Sequence, residues 1–573
     1  MSLRILFLTL VLLTLAPQAD AKILHVAQTG DGSDGSTWEK AFTDISSALV
    51  AASSGDDVWV AGGIYSESVE LIPRVGVFGG FSGTESAVGF DFRDWEGNET
   101  IIDATGLEAS AVLGADDAIL DGFTIRSAVS LEDGSGIRCV GTSPVVLNCT
   151  IQGNQSLTPK PVQEGCCEWV CLDPLVCRCI QYCWVEAARG RGGGIYLRSS
   201  DALFANCTIS HNHAYEGGGL LIDGSGSPSF LECNFVGNSA GDEGGGVEIE
   251  GSGSPYFLEC DFVGNRAHDG GGCRSSGESV VELASCRISS NTAFNDGGLF
   301  ATSRSTFLLD CVIQKNRSNY EGGGIYLLSK DARLERCDIA ENSSGVSGAG
   351  IYCEYTASTT VTNCVFRGNT SSWEGSWLGI GDRKSRVSIL NCSVYGNHTK
   401  TDSPSLLCES PSTTDIVNSI LWENDPHEIE VETGAELSVN FCDVEGGWPG
   451  EGNIDADPRF RDAEHEDYRL LPDSPCIDSA SADGPEGDLE GNPCPIDLPG
   501  VGRDGEGAFD MGAYEYPLGG YPSPTPTATV RPTTTPTSQP TLVNPNSDIN
   551  QDGVINAEDL LILLQDWQKV TGT

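Results

Sequence analysis

The chain has 573 residues, and its 82 Asp and Glu against 32 Lys and Arg leave a formal net charge of −50. A field of that sign repels nucleic acids and anionic lipid surfaces, and nucleic acid is not expected as a partner. Glycine is abundant at 71 residues with no three-residue period, and 39% of the residues are apolar. The chain is therefore neither collagen-like nor disordered, but rich in tight turns.

Arg4, the apolar run from Ile5 to Ala16 and the small-x-small site Ala19-Asp20-Ala21 read as a signal peptide over residues 1–21, so the protein is expected outside the cytoplasm or at the cell surface. No later stretch reaches the ~18 apolar residues of a membrane-spanning helix, so no transmembrane segment is expected in the mature chain. Residues 22–516 are expected to form one large domain. ILHV at 23–26 and VWVA at 58–61 read as strands. Between them a helix is expected from Trp38 to Ala52, with Trp38, Ala41, Phe42, Ile45, Ala48 and Leu49 on one apolar face that would cover an open sheet end.

The middle of the chain repeats itself. A motif of Cys, an apolar residue two positions later and Asn five positions later begins at Cys149, Cys207, Cys233, Cys260, Cys286, Cys311, Cys337, Cys364 and Cys392, with a Ser419 variant and a weaker copy at Cys442. From Cys207 to Ser419 the spacings are 26, 27, 26, 25, 26, 27, 28 and 27. In step with it, Gly-Gly-Gly precedes a short alternating strand at Gly192, Gly217, Gly244 and Gly322. No repeat holds a helical pattern, which excludes leucine-rich, ankyrin and tetratricopeptide arrays. The solution is an all-β parallel β-helix solenoid, one coil per repeat, each coil hydrogen-bonded to the next at about 4.8 Å. Its cysteines would stack as a column of small buried thiols, and its Asn residues, Asn154 through Asn424, as a structural ladder. Asn316 and Asn397 also stand in N-x-S/T sequons.

The period breaks over residues 156–189, where Cys166, Cys167, Cys171, Cys177, Cys179 and Cys183 read as a loop stapled by disulfides. The absence of His there disfavours a zinc site. Ahead of the glycines, Glu216, Glu243, Asp269, Asp296 and Glu321 recur at the repeat period and read as one stacked acidic column. Such a column raises some pKa values or recruits cations, but a repeated turn produces it without any selection for chemistry. His268, His211 and His213 read as surface residues, and Arg191 and Arg198 carry no specific signal.

From Gly446 to Tyr516 the chain is rich in Asp, Gly and Pro and is expected to close the far end of the solenoid with loops. Residues 517–546, mostly Pro and Thr, read as an extended linker. Over 547–571, Asp548, Asn550, Asp552, Asn556 and Asp559 place oxygen ligands at positions 1, 3, 5, 9 and 12 of a calcium loop, with the Val554 carbonyl at position 7 and Gly553 at the sharp turn. Position 12 is Asp rather than the usual Glu.

The repeats resemble the right-handed parallel β-helix of pectin-lyase-like proteins and their polymorphic outer-membrane-protein-like relatives. The opening HVAQTGDGSDGSTWEKAFTDISSAL, with DDVWVAGGIY and VGVFGGFSGTE, and the closing DADPRF, YRLLPDSPCID and FDMGAYEY look like large exported bacterial β-helix proteins of the choice-of-anchor type. The tail resembles one half of a dockerin, which carries two such segments. That resemblance implies calcium as cofactor and a cohesin-like or cell-wall anchor as partner for the tail.

Polyuronate lyases of this superfamily use calcium-holding acids and a basic residue, and its hydrolases use paired carboxylates. The acidic column obeys the repeat, whereas a catalytic site usually interrupts one, so no catalytic residue is assigned. The expected function is a secreted or cell-surface β-helix that binds polysaccharide or cell-surface glycan, or serves as an adhesive, structural protein. The alternative is a calcium-dependent polysaccharide lyase or glycoside hydrolase.

Overall fold

The computed structural model describes residues 21–157, 169–173, 176–179 and 190–517, apart from short stretches at 87–89, 91–92, 356–357, 382–383, 497–500 and 503–508. The signal segment, most of the cysteine-rich insertion, the linker and the whole calcium loop, from Asp548 to Asp559, lie outside the described residues. By its internal contacts Lys22–Leu518 forms one compact unit.

Three long parallel sheets wind through this unit, of 15, 13 and 14 strands. One coil contributes Leu220–Asp223 to the 13-stranded sheet, Ser229–Leu231 to the 15-stranded sheet and Asn234–Val236 to the 14-stranded sheet, and each strand pairs in register with its counterpart in the next coil. This is the parallel β-helix that the repeat requires. The bend before each motif cysteine is a single left-handed residue, as at Asn148, Asn206, Glu232, Glu259 and Asp310. The hydrogen-bond ladder continues through it, since Glu232 N–H donates to the Leu258 carbonyl at 2.9 Å.

Inward-facing side chains stack by type. Phe204, Phe230 and Phe257 lie ring on ring at 5.1 and 5.0 Å. The sixteen cysteines whose side chains are described are free thiols. Cys233 Sγ donates to the carbonyls of Leu231 and Phe204, at 3.3 and 3.6 Å. Burial pushes the Cys207 and Cys233 thiols far up, so they act as small core fillers.

The Asn ladder is continuous from Asn154 to Asn424. Asn238 directs both its backbone N–H and its Nδ2 to Asn265 Oδ1, at 2.9 and 3.1 Å, and Nδ2 also donates to the Ile209 carbonyl at 2.8 Å. Asn316 and Asn397 are fully buried members of it, so their sequons present no accessible amide in the folded chain. The ladder ends on a residue that the repeat does not announce. Asn424 N–H and Nδ2 donate to the two carboxylate oxygens of Glu428, at 3.1 and 3.0 Å. Burial, opposed by these donors, pushes Glu428 up to about 8. The folded chain therefore holds a proton that the unfolded chain releases near pH 4.3, and stability falls as pH rises from there through 8. Glu428→Gln keeps an acceptor and removes this slope. At pH 9 the variant should unfold at a higher denaturant concentration than the parent, with little difference at pH 4.

Two expectations need correction. The N-terminal helix does not run from Trp38 to Ala52. Trp38–Lys40 is a single 3₁₀ turn, and helix α1 spans Ile45–Ala51, with Asp44 capping it through the Ser47 N–H at 2.7 Å. The interruption arises because Phe42 is drawn into pairing with the first strand, exchanging backbone bonds with His25 and Ala27 at 2.9 Å. Ile45, Ala48 and Leu49 of α1 share the core with Leu24, Val26 and Val58. At the other end only the first part of the tail covers the last coil, where Trp448 packs on the core. The remainder folds back along the side of the solenoid. Gly512 N–H bonds the Asn418 carbonyl at 2.8 Å, Ala513 N–H bonds Ser393 Oγ at 3.0 Å, and Asn363 Nδ2 donates to the Gly487 carbonyl at 2.6 Å. Buried carboxylates hold its turns: Asp488 accepts from Glu490 and Asn492 N–H, and Asp510 from Asp478 and Tyr516 N–H.

Candidate functional site

The face built around the 13-stranded sheet concentrates the chemistry. Its outward column is set by register: Arg138, Tyr196, Leu221, Glu248, Arg274, Phe300, Tyr326 and Tyr352 stand opposite one another in successive coils. Phe300 meets Tyr326 edge-on at 5.2 Å, and Tyr326 lies 5.0 Å from Tyr352. Beside this column, across the glycines, runs the acidic one. Arg191 pairs with Glu216, Glu216 with Glu243, Glu243 with Asp269 and Asp269 with Asn295.

Asp296 is therefore not a member of the acidic column. Asn295 holds that position and donates Nδ2 to Asp269 Oδ1 at 2.9 Å. Asp296 sits one place on, where neighbouring coils have Gly217, Gly244, Gly270 and Gly322, and it adopts their left-handed backbone at φ 59°. Its carboxyl is 1% exposed, Oδ1 has no hydrogen-bond partner, and it lies where a Cβ on Gly322 of the next coil would meet it at 2.9 Å. Burial, with Asp269 and Glu321 nearby, holds Asp296 well above the usual carboxylate range. Glu321 rises to about 7 through burial and the charges of Glu354, Glu409 and Glu374. The spacings 27, 26, 27 and 25 contained this one-residue shift, but a loop-length change produces the same numbers.

An Asp in a glycine's place with an unpartnered carboxyl oxygen costs stability twice, through left-handed backbone and through desolvation. Asp296→Gly should therefore stabilise the chain by about 1–3 kcal/mol at pH 7. Because burial raises this carboxyl above its unfolded value, the gain should shrink as pH falls toward 4 and level off below it. Chemical denaturation at several pH values measures both. A loss of stability in this variant would mean that the carboxyl is satisfied.

The acidic residues in the earlier coils carry arginine partners, which the sequence reading missed. Arg274 reaches Glu243 at 2.9 Å and Glu248 at 2.5 Å, with its guanidinium 5.6 Å from the Phe300 ring. Arg191 contacts Glu216, Asp223 and Glu250, and lies 5.7 Å from the Tyr196 ring. Glu243, Glu248 and Glu250 bring one oxygen each within 4.8 Å of one another, a spacing that would coordinate a divalent ion. The two guanidinium groups already occupy the carboxylates, so an ion there must displace them. Arg198 is exposed and lies 3.7 Å from Asp223. His268 Nδ1 lies 2.7 Å from Asp269 Oδ1, whereas His213 contacts Ser239 and His211 forms a left-handed bend.

A third column rims the acidic one: His268, Phe294, Tyr320, Val346 and Trp373, each directly preceding the acidic-column position of its coil. Phe294, Tyr320 and Trp373 are 51%, 49% and 63% exposed, and His268 stacks on Phe294 at 5.1 Å. Among the described residues the large exposed aromatics are these three and Tyr355, which follows Glu354 at the end of a strand of the same sheet. The insertion leaves after Ser156 and returns at Gly190, at the head of the acidic column. Two cavities have volumes of about 560 and 360 Å³. The larger is lined by Glu423–Ile429 and Val444–Trp448, and in the smaller Arg336 and Arg367 are bound to Asp310 and Asp338.

Residues 109–273, 218–376 and 297–452 match the family described as right handed beta helix region. Together they span more than half of the chain, and the protein belongs to that family. Among solved structures it is similar to a crystal structure of pectate lyase Pel9A, at 14% identity and a TM-score of 0.34, covering 88% of this chain and 98% of that one. No curated protein matches the chain. No helix among the described residues is long and apolar enough to cross a membrane.

Proposed function

We propose that this β-helix is an exported, surface-displayed glycan-binding protein that holds polysaccharide along the face of its 13-stranded sheet. The observation that carries this reading is the exposed aromatic rim, Phe294 and Tyr320 in successive coils and Trp373 two coils on, beside the carboxylates of Glu321 and Glu374. Aromatic rings offer flat apolar platforms to sugar faces, and carboxylates accept from sugar hydroxyls. Around the binding rod, residues 1–21 serve as the export signal, α1 as the N-terminal cap and the loop at 156–189 as a disulfide-stapled insertion. The Pro/Thr linker joins the rod to a calcium-binding segment, held by Asp548, Asn550, Asp552, Val554, Asn556 and Asp559, that attaches to a cohesin-like or cell-wall partner.

Affinity electrophoresis through gels containing different polysaccharides tests the binding. Trp373→Ala together with Tyr320→Ala should weaken retardation by roughly ten- to a hundred-fold, the worth of two stacking platforms. Retardation unchanged by the double substitution would remove the face from the binding account. A second reading, a glycoside hydrolase in the same face, draws support from Asp296 and Glu321, two neighbouring acids that burial holds above the usual carboxylate range. Reducing ends released by the parent but not by Asp296→Asn would favour it.

A further inference from the structure

Resting on the glycan-binding reading, we infer that the ligand is an amine-bearing glycan, its ammonium groups set against Glu321 and Glu374, with the buried Asp296 beside Glu321, and its rings against Phe294, Tyr320 and Trp373. Three observations on the face point this way. Its cations are already engaged: Arg191 and Arg274 are held by Glu216, Glu243, Glu248, Asp223 and Glu250 in the first coils. Past Phe300 the carboxylates accumulate instead, and Glu374 is held above its ordinary range by burial and then by Glu430 and Glu432. The third observation is independent of that accumulation. Asp296 is a buried carboxyl with an orphaned oxygen, set at a glycine position and directed toward the next coil beside Glu321.

A cation placed beside such crowded carboxyls favours their ionised form whereas an anion disfavours it, and the chain's charge of −50 adds to the repulsion of anions. A polyuronate would bring like charge to every coil. A neutral chain would use the aromatic rings but leave the acids without a counter-charge. An amino-sugar chain answers both columns, since each sugar ring of an extended chain advances by about as much as one coil, roughly 4.8 Å.

The test compares a glucosamine hexamer with its fully N-acetylated counterpart, cello-oligosaccharide and oligogalacturonate on the full chain, by calorimetry at low and high salt. The two hexamers share a backbone and differ in charge. The amine form should bind at least about ten-fold more tightly, as one charge-assisted hydrogen bond would give, and the advantage should fade with salt. It should also be lost in Glu321→Gln/Glu374→Gln, but not in Asp31→Asn/Glu451→Gln, a control pair of exposed acids outside these columns. Equal affinity for the two hexamers, preference for the uronate, or equal losses in both variants would overturn the inference while leaving a glycan-binding face. Failure of every glycan to bind would overturn the binding reading as well. Because the hexamer comparison uses the unaltered chain, a misfolded variant does not remove the test.

Discussion

Asn265→Ala should be the most damaging single truncation in the ladder. It removes the oxygen that accepts from both Asn238 N–H and Asn238 Nδ2, at 2.9 and 3.1 Å. It also removes the Nδ2 that donates to the Phe235 carbonyl at 2.8 Å and to Asn291 Oδ1 at 3.1 Å. All these groups are buried between coils, where the space is lined by backbone and by further Asn. At about 1–3 kcal/mol for each stranded group, with partial relaxation, the loss is expected near 4 kcal/mol. In a solenoid such a loss is felt locally first, because each coil touches only its neighbours. Hydrogen exchange should therefore show lost protection in the coils on either side of residue 265, together with a lower unfolding midpoint. Asn234→Ala, at a partly exposed position of the 14-stranded sheet, should stay within about 0.5 kcal/mol of the parent. Comparable small effects from both substitutions would refute the ladder as a principal source of stability.

Arg274→Ala should cost about 3–5 kcal/mol, because it strands a carboxylate rather than because the ion pair is strong. Glu248 is 0% exposed, its Oε1 is held by Arg274, and its Oε2 already has no partner. Burial raises Glu248 far above the ordinary range even with Arg274 opposing it. Without the guanidinium the group must take up a proton to stay buried, so the penalty should be largest at high pH and shrink as pH falls. Glu248→Leu in the Arg274→Ala background should recover most of the loss, since an apolar residue needs no counter-charge. Denaturation of the two single variants and the double variant forms a cycle that isolates the pairing. Strict additivity would mean that the two side chains do not depend on each other.

Several elements were legible before any coordinates. The Cys-x-apolar-x-x-Asn period states the solenoid outright, because each coil must satisfy its backbone and fill its core against a near-copy of itself. Residues at equal places in the repeat therefore stack, as Cys233 on Cys260 and Asn238 on Asn265 do. The glycine triplets were legible for the same reason. A Cβ on Gly218 would meet the Ser239 carbonyl carbon and oxygen within 2.5 Å, so nothing larger fits the turn. The aromatic rim at Phe294, Tyr320 and Trp373 was also present in the sequence at coil spacing, but an irregular turn gives no rule for which side chains face outward.

What the sequence determined by itself is thus the class of fold and the identity of its buried columns, since those depend on period and residue type alone. The tertiary structure decided the register within the turns and the contacts between turns. It placed Asn295 rather than Asp296 in the acidic column, set Arg274 on Glu248 from the neighbouring coil, ended the Asn ladder on Glu428, and folded the Gly446–Tyr516 segment back over Ser393 and Asn418. The physical reason is common to all four. Loop lengths between coils vary from repeat to repeat, a one-residue offset leaves the period intact, and only backbone hydrogen bonding between coils determines which residues meet.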